Sequence, residues 1–194
     1  MNGKTWNSPI YKRIEKVPFI PTEQELDQLI AGCSRKISPF IQLMKETAMR
    51  AGEAFNTSWT SIDFETSTVR ITPEKGSNPR MWKIRIKLLG MLGSLRKTSE
   101  YIFGNPNARH IRASFCNMRK AISQRLQNPR LMRISFHTFR HWKATMEYHK
   151  TRDILYVMKM LGHRNIQNTL LYTQLISFES DEFHSATATT VQDA

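Results

Sequence analysis

The sequence predicts an α+β fold, mainly helical, with a small three-stranded antiparallel sheet. Three observations predict it. Apolar residues recur at helical spacing, most clearly at Ile111, Phe115, Met118, Ile122 and Leu126. Two short β-type stretches, Ile62-Asp63-Phe64 and Thr68 to Ile71, precede a turn-forming PEKGSNP segment. After that turn, Trp82, Ile84 and Ile86 alternate with Lys83, Arg85 and Lys87, which reads as a strand with one apolar and one cationic face.

The elements follow in order. Residues 1–18 are polar and basic, with Pro9 and Pro18, and read as an arm or linker. Thr22 and Glu25 have capping-box spacing ahead of Leu26, Leu29 and Ile30, so a helix opens there. Further helices are expected at about 37–49, 51–58 and 88–98, and a long one at about 108–127. The polar faces of the long helix carry Arg109, Arg112, Arg119, Lys120 and Arg125. Three more helices are expected at about 137–149, 153–161 and 165–176; Gly162 suits a left-handed cap and Asn165 an N-cap. Residues 19–176 thus form one domain, and 177–194 a tail, acidic and then rich in Ser, Thr and Ala, that is loose or packs on a neighbouring protomer.

Charge narrows the partners. Lys and Arg number 29 against 16 Asp and Glu, a net charge of +13 with a pI near 10.1. A globular chain this basic, with its charges clustered, faces a polyanion; nucleic acid leads and an anionic membrane comes second. No apolar run approaches the roughly 20 residues needed to span a bilayer. The N-terminus lacks an apolar leader segment, and two cysteines, Cys33 and Cys116, make no disulfide framework, so an intracellular, reducing setting is expected.

Local spacing then picks out candidate chemistry. His137 and Arg140 are three apart at the start of a helix, so they are surface neighbours. Two potential cations make a poor structural pair but a good anion clamp. Arg50 lies at a helix junction with Glu53 three residues on, placed to orient its guanidinium. In LGHRNIQNTLLYTQL, Ile166, Leu170, Leu171 and Leu175 can supply the buried side of the last helix. Tyr172 then shares the polar side with Asn165 and Asn168, as if its hydroxyl mattered more than its ring.

Taken in order, the segments TAMRAGEA, EKG, HTFR, LGH and TLLYTQL resemble the catalytic domain of the tyrosine recombinases, the phage-integrase and Xer-like family. The resemblance covers about residues 19–176, and each motif is weak alone but the ordered set is specific. It implies an integrase-type catalytic fold. It also implies a catalytic set of Arg50, Lys75, His137, Arg140, His163 and the nucleophile Tyr172, with Glu53 in support and Lys83 as the runner-up for the hairpin lysine. TAMR stands for the commoner TGMR, and HTFRHW carries bulkier residues than the usual run, which alters packing rather than chemistry. The family's N-terminal DNA-clamping domain has no room here, so a catalytic fragment or a minimal form is expected.

The activity so implied is site-specific DNA strand cleavage and rejoining through a 3′-phosphotyrosyl intermediate. It needs no metal, ATP or other cofactor. The partner is double-stranded DNA, engaged as a homotetramer, with a monomer when free, in the cytoplasm or nucleoid. The cations Lys83, Arg85, Lys87, Arg112, Arg119 and Lys120 would bind its backbone. Three other readings compete: a type IB topoisomerase-like nicking-closing enzyme, a DNA-binding module with a dead site, and a zinc hydrolase using His137 and His141. The last lacks the glutamate that a zincin places after its first histidine; Thr138 is there instead.

Overall fold

The structure, a computed structural model, describes residues 17–74, 76–104 and 109–175. The expected arm, apart from its last residues, and the expected tail lie outside these residues, as does Lys75. Helix α1 (Glu23–Gly32) starts as its sequence dictates: Thr22 Oγ1 accepts the Glu25 N–H at 3.2 Å, and the Glu25 carboxylate accepts the Thr22 N–H at 2.9 Å. Helix α2 (Ile37–Thr47) is buried along nearly its whole length and forms the centre of the molecule. Around it pack α1, α3 (Ala51–Phe55), α4 (Ile86–Gly93), α5 (Arg109–Arg125) and α6 (Phe136–Thr151). Phe40 of α2 stacks on Phe55 at 4.7 Å and meets Phe103 and Phe136 edge-on at 5.0 and 5.1 Å, so aromatic rings from four segments lock the main core.

The sheet has the expected three antiparallel strands, β1 (Ile62–Asp63), β2 (Thr68–Ile71) and β3 (Arg80–Lys83), in that order. The third strand ends sooner than its alternation suggests. Lys83 pairs with Thr68, the first residue of β2, and Ile84 donates to the carbonyl of Ser67, the left-handed last residue of the β1–β2 turn. No partner strand remains beyond that point, and Glu46 accepts the Arg85 N–H at 2.8 Å as the chain enters α4. Ile86, expected on the apolar strand face, is 83 % exposed, and α4 is shorter than the expected 88–98 helix. The expected row of strand cations is therefore split: Lys83 lies on β3, Arg85 caps α4 and Lys87 lies in its first turn, all exposed.

Helix α5 buries Ile111, Phe115 and Ile122 as its period requires, while Leu126 falls past its end and is exposed. A second, smaller core joins α6, α7 (Ile154–Leu161) and a last helical segment, α8 (167–175). It contains Ala48, Ala144, Val157, Met160, Leu161, Tyr172 and Leu175. Tyr172 is thus not on a solvated face but 2 % exposed. The buried stripe of α8 is Thr169, Tyr172 and Leu175, three apart, with Asn168 outside and Ile166, Leu170 and Leu171 only half-buried. Thr169 reads as polar in the sequence, yet it lies inside because its hydroxyl has a buried partner, His163. No helix among the described residues is long and apolar enough to cross a membrane.

Candidate active site

Arg50 is the N-cap residue of α3, where the chain leaves α2 through the left-handed Ala48. Its backbone N–H donates to Glu53 Oε2 at 2.8 Å, but its guanidinium reaches Glu53 only loosely, at 3.6 Å. Glu53 instead forks with Arg80, Nη1 to Oε1 at 3.0 Å and Nη2 to Oε2 at 2.5 Å. Burial raises the Glu53 pKa, and the two Arg80 bonds more than offset it, leaving the carboxyl below its ordinary value and ionised. The expected role of Glu53 as orienter of the Arg50 side chain is therefore corrected: it anchors the Arg50 backbone and engages Arg80. Arg50 Nη1 is buried with no hydrogen-bond partner among the described residues, an uncommon state for so strong a donor.

Arg140, in the second turn of α6, is 1 % exposed. Its guanidinium donates to the Ala48 carbonyl at 2.6 Å, the Leu161 carbonyl at 2.7 Å and His163 Nε2 at 3.0 Å. An arginine only donates, so Nε2 of His163 must be the accepting nitrogen. The proton then sits on Nδ1, which donates to Thr169 Oγ1 at 2.9 Å. Burial, then the charges of Arg50 and Arg80, lower the Arg140 pKa to about 10, still well above neutrality.

His163 belongs to the loop closed by Gly162, whose φ of 69° is the expected left-handed cap. The β2–β3 connection is docked on that loop. Ser77 pairs with His163, and the Asn78 N–H donates to the Gly162 carbonyl at 2.9 Å. A side chain at Gly162 would meet Ser77 Oγ at 2.8 Å and Arg80 Nη1 at 2.9 Å, so only glycine allows this approach. Arg80 is the residue sequence reasoning missed here. It links Glu53 to the hairpin, and nothing in its local spacing marks it.

The Tyr172 hydroxyl lies 3.0 Å from His141 Nδ1, and His137 packs edge to face on His141 with ring centroids 4.5 Å apart. Burial pushes the phenol up to about 12, against the opposing charges of Arg140 and Arg50. Burial, then His137 and Arg140, push His141 down to about 4. His137 is exposed at its outer edge, and its pKa is lowered by the protein enclosing the rest of the ring, then by Arg140 and Arg50. His141 was legible only as a possible metal ligand, and its contact with Tyr172 has no sequence signal beyond its position directly after Arg140. Among the described residues no group of three or more His, Cys, Asp or Glu side chains is placed to hold a metal ion.

Of the cations expected to meet a polyanion, Lys83, Arg85, Lys87, Arg112 and Lys120 are exposed. Arg112 and His137 share a cleft of about 340 Å³ lined by Met44, Met49, Phe115 and Phe136. Arg119 lines the same cleft but is half-buried, its guanidinium bonded to the Ile134 carbonyl and lying 5.7 Å from the Phe115 ring centre. It is therefore in part a packing residue, not the free surface cation the sequence suggests.

The histidines make acid stability an observable of this site. Burial, then Arg140 and its neighbours, hold His163 at about 4, as low as His141. In the unfolded chain an imidazole titrates near 6.5. Below that pH the unfolded chain takes up protons that the folded chain does not. Stability is thus full above about pH 6.5 and is lost as pH falls toward about 4, by up to about 3 kcal/mol per histidine. Denaturant titrations at about pH 7 and about pH 5 should show a lower midpoint in acid, and equal midpoints would reject the neutral, buried state of both rings.

The phage integrase family profile matches residues 21–177. A tyrosine recombinase, XerA, of Saccharolobus solfataricus is 26 % identical over 171 residues, covering 87 % of this chain. The chain spans 56 % of the length of that relative. The catalytic domain of bacteriophage HP1 integrase superposes with a TM-score of 0.61 at 22 % identity, covering 90 % of this chain and 96 % of that one. The Tn1549 transposon integrase, solved in complex with transposon right end DNA, gives a TM-score of 0.68 at 19 % identity, over 92 % of this chain and 67 % of that one. These likenesses establish the fold, and the profile match over most of the sequence establishes the lineage: the chain belongs to the phage integrase family.

Proposed function

We propose that the chain is the catalytic domain of a site-specific DNA recombinase that cuts and rejoins strands through a 3′-phosphotyrosyl intermediate. The observation that carries this reading is that two guanidinium groups, one buried and one half-buried, act on a buried phenol. Arg140 is held by three acceptors, Arg50 keeps a donor without a partner among the described residues, and the Tyr172 phenol feels the charge of both. Two guanidinium groups suit the non-bridging oxygens of a phosphodiester and the charge that grows on them as phosphorus becomes five-coordinate. Tyr172 then attacks, and a 5′-hydroxyl leaves. His163, through its link to Arg140, and His137, at the rim, complete the phosphate pocket; Lys75 serves as the acid for the leaving oxygen.

The bond energy stays in the phosphotyrosine, so a second 5′-hydroxyl can reseal the strand without ATP. A fourfold assembly on DNA and a monomer when free complete this reading, and its substrate puts its work inside the cell. Exposed Lys83, Arg85, Lys87, Arg112 and Lys120 would bind backbone phosphates and make affinity fall with salt. The test is a library of nicked suicide duplexes incubated with the chain in excess EDTA. A protein–DNA adduct that survives denaturation is expected, and strand transfer between duplexes separates recombination from nicking and closing alone. Absence of any adduct across the library would overturn the proposal.

A further inference from the structure

The geometry points to His141 as the base that takes the Tyr172 proton, a role distinct from that of the neighbouring histidine at the rim. The inference rests on the proposed function. Its starting observation is the 3.0 Å contact between Tyr172 oxygen and His141 Nδ1.

Elimination strengthens it. Tyr172 is 2 % exposed, so bulk water is not in place to receive its proton. The charged groups that act on its hydroxyl, Arg140 and Arg50, are donors only. Glu53, the buried carboxylate of the site, is held in its fork with Arg80. His137 packs edge to face on His141 and so steadies that ring, while it is itself exposed at the cleft rim. The titratable and charged groups against His141 are His137 and Arg140 on α6 and Tyr172 on α8.

A neutral imidazole offers one accepting nitrogen, and a neutral phenol has one proton to give. The proposal puts the accepting lone pair on Nδ1 of His141 and its N–H on Nε2, so that the phenol O–H points along the line of transfer. In the resting state the transfer is uphill, because the phenol stands near 12 and the imidazole near 4. As the oxygen–phosphorus bond forms, the phenol oxygen becomes an ester oxygen and sheds its proton readily. In that step the Tyr172 O–H bond breaks, its proton passes to His141 Nδ1, and the new O–P bond forms. The P–O5′ bond breaks, and the departing oxygen is protonated by the general acid assigned above. On resealing, the His141 imidazolium returns the proton to the leaving tyrosine.

Two measurements test this, the first without DNA. In the full chain labelled with ¹⁵N-histidine, with His141→Gln used for assignment, Nδ1 of His141 is expected to be unprotonated and Nε2 to carry the proton. A protonated Nδ1, donating to the phenol oxygen, would overturn the proposal whatever the chain does to DNA. The second uses a nicked suicide duplex that the wild-type chain captures, followed in single turnover from about pH 6 to about pH 10. His141→Gln should slow adduct formation by about a hundredfold or more near neutrality, and the gap should narrow as pH rises. His141→Ala should regain part of the rate with added imidazole. A Gln variant as fast as wild type, with the same pH profile, would reduce His141 to a latch on the resting tyrosine. If the wild-type chain captures no duplex, it is the proposed function that fails, and the nitrogen measurement still decides the hydrogen bond.

Discussion

Tyr172→Phe is expected to form no covalent adduct on any duplex while keeping its DNA affinity and its fold. The chemical half of this expectation is absolute, because the nucleophilic oxygen is gone and no other tyrosine is described in this pocket. The structural half follows from what the hydroxyl does at rest. Its recorded partner is His141 Nδ1, and the ring itself fills the smaller core beside Leu161 and Leu175. Phenylalanine keeps that volume, so no cavity opens. The loss is one hydrogen bond with one acceptor left unsatisfied, about 1–2 kcal/mol, within the 5–15 kcal/mol typical of a domain. Gel trapping reads the adduct, and filter binding and thermal melting read the rest. A persisting adduct would remove Tyr172 as the nucleophile.

Arg140→Ala should be the more damaging change. From the sequence, Arg140 looks like a helix-surface residue dedicated to phosphate, and its removal should spare the fold. The structure gives it a second task. Its guanidinium is the donor to two buried carbonyls, those of Ala48 and Leu161, and to His163 Nε2, so it joins the end of α2, the end of α7 and the loop after it. Alanine leaves all three acceptors bare and a void the size of the side chain. The expected cost is about 3–5 kcal/mol of stability. Adduct formation should fall by about a thousandfold or more, since each lost oxyanion donor costs about a hundred- to a thousandfold. Arg140→Lys separates the tasks: it keeps a charge and part of the packing but not the planar fork, so stability should recover further than rate. Near-normal cleavage in the alanine variant would reject the phosphate role, and an unchanged melting temperature would reject the structural one.

What the sequence revealed and what it hid follow the range of the interactions involved. The cap at Thr22 and the glycine at 162 are set within three or four residues, and each is present as read. The spacing of His137 and Arg140 does put both on the first turns of α6, but burial takes Arg140 off the surface. The fork between Glu53 and Arg80 spans 27 residues, so no local spacing announces it. The end of β3 is set by where its partner strand begins, not by its own alternation, which continues past the last pair. Residue types place Tyr172 on the polar side of its helix, because Thr169 counts as polar by type, while its hydroxyl is satisfied inside by His163. A single buried hydrogen bond thus reverses the apparent facing of α8. Arg119 shows the same effect at a smaller scale, a cation by type whose donor is spent on a backbone carbonyl.

The placement of Tyr172 in the smaller core sets a threshold for action. The side chain that must meet phosphorus is also part of what holds α8 to the rest of the protein, together with Leu175. In the proposed reaction the phenol keeps its place beside His141, so a phosphate has to come to it, entering a largely closed pocket and shedding its water there. A duplex whose backbone could not reach that depth would meet no nucleophile, and the depth of the tyrosine would screen DNA before any bond is broken.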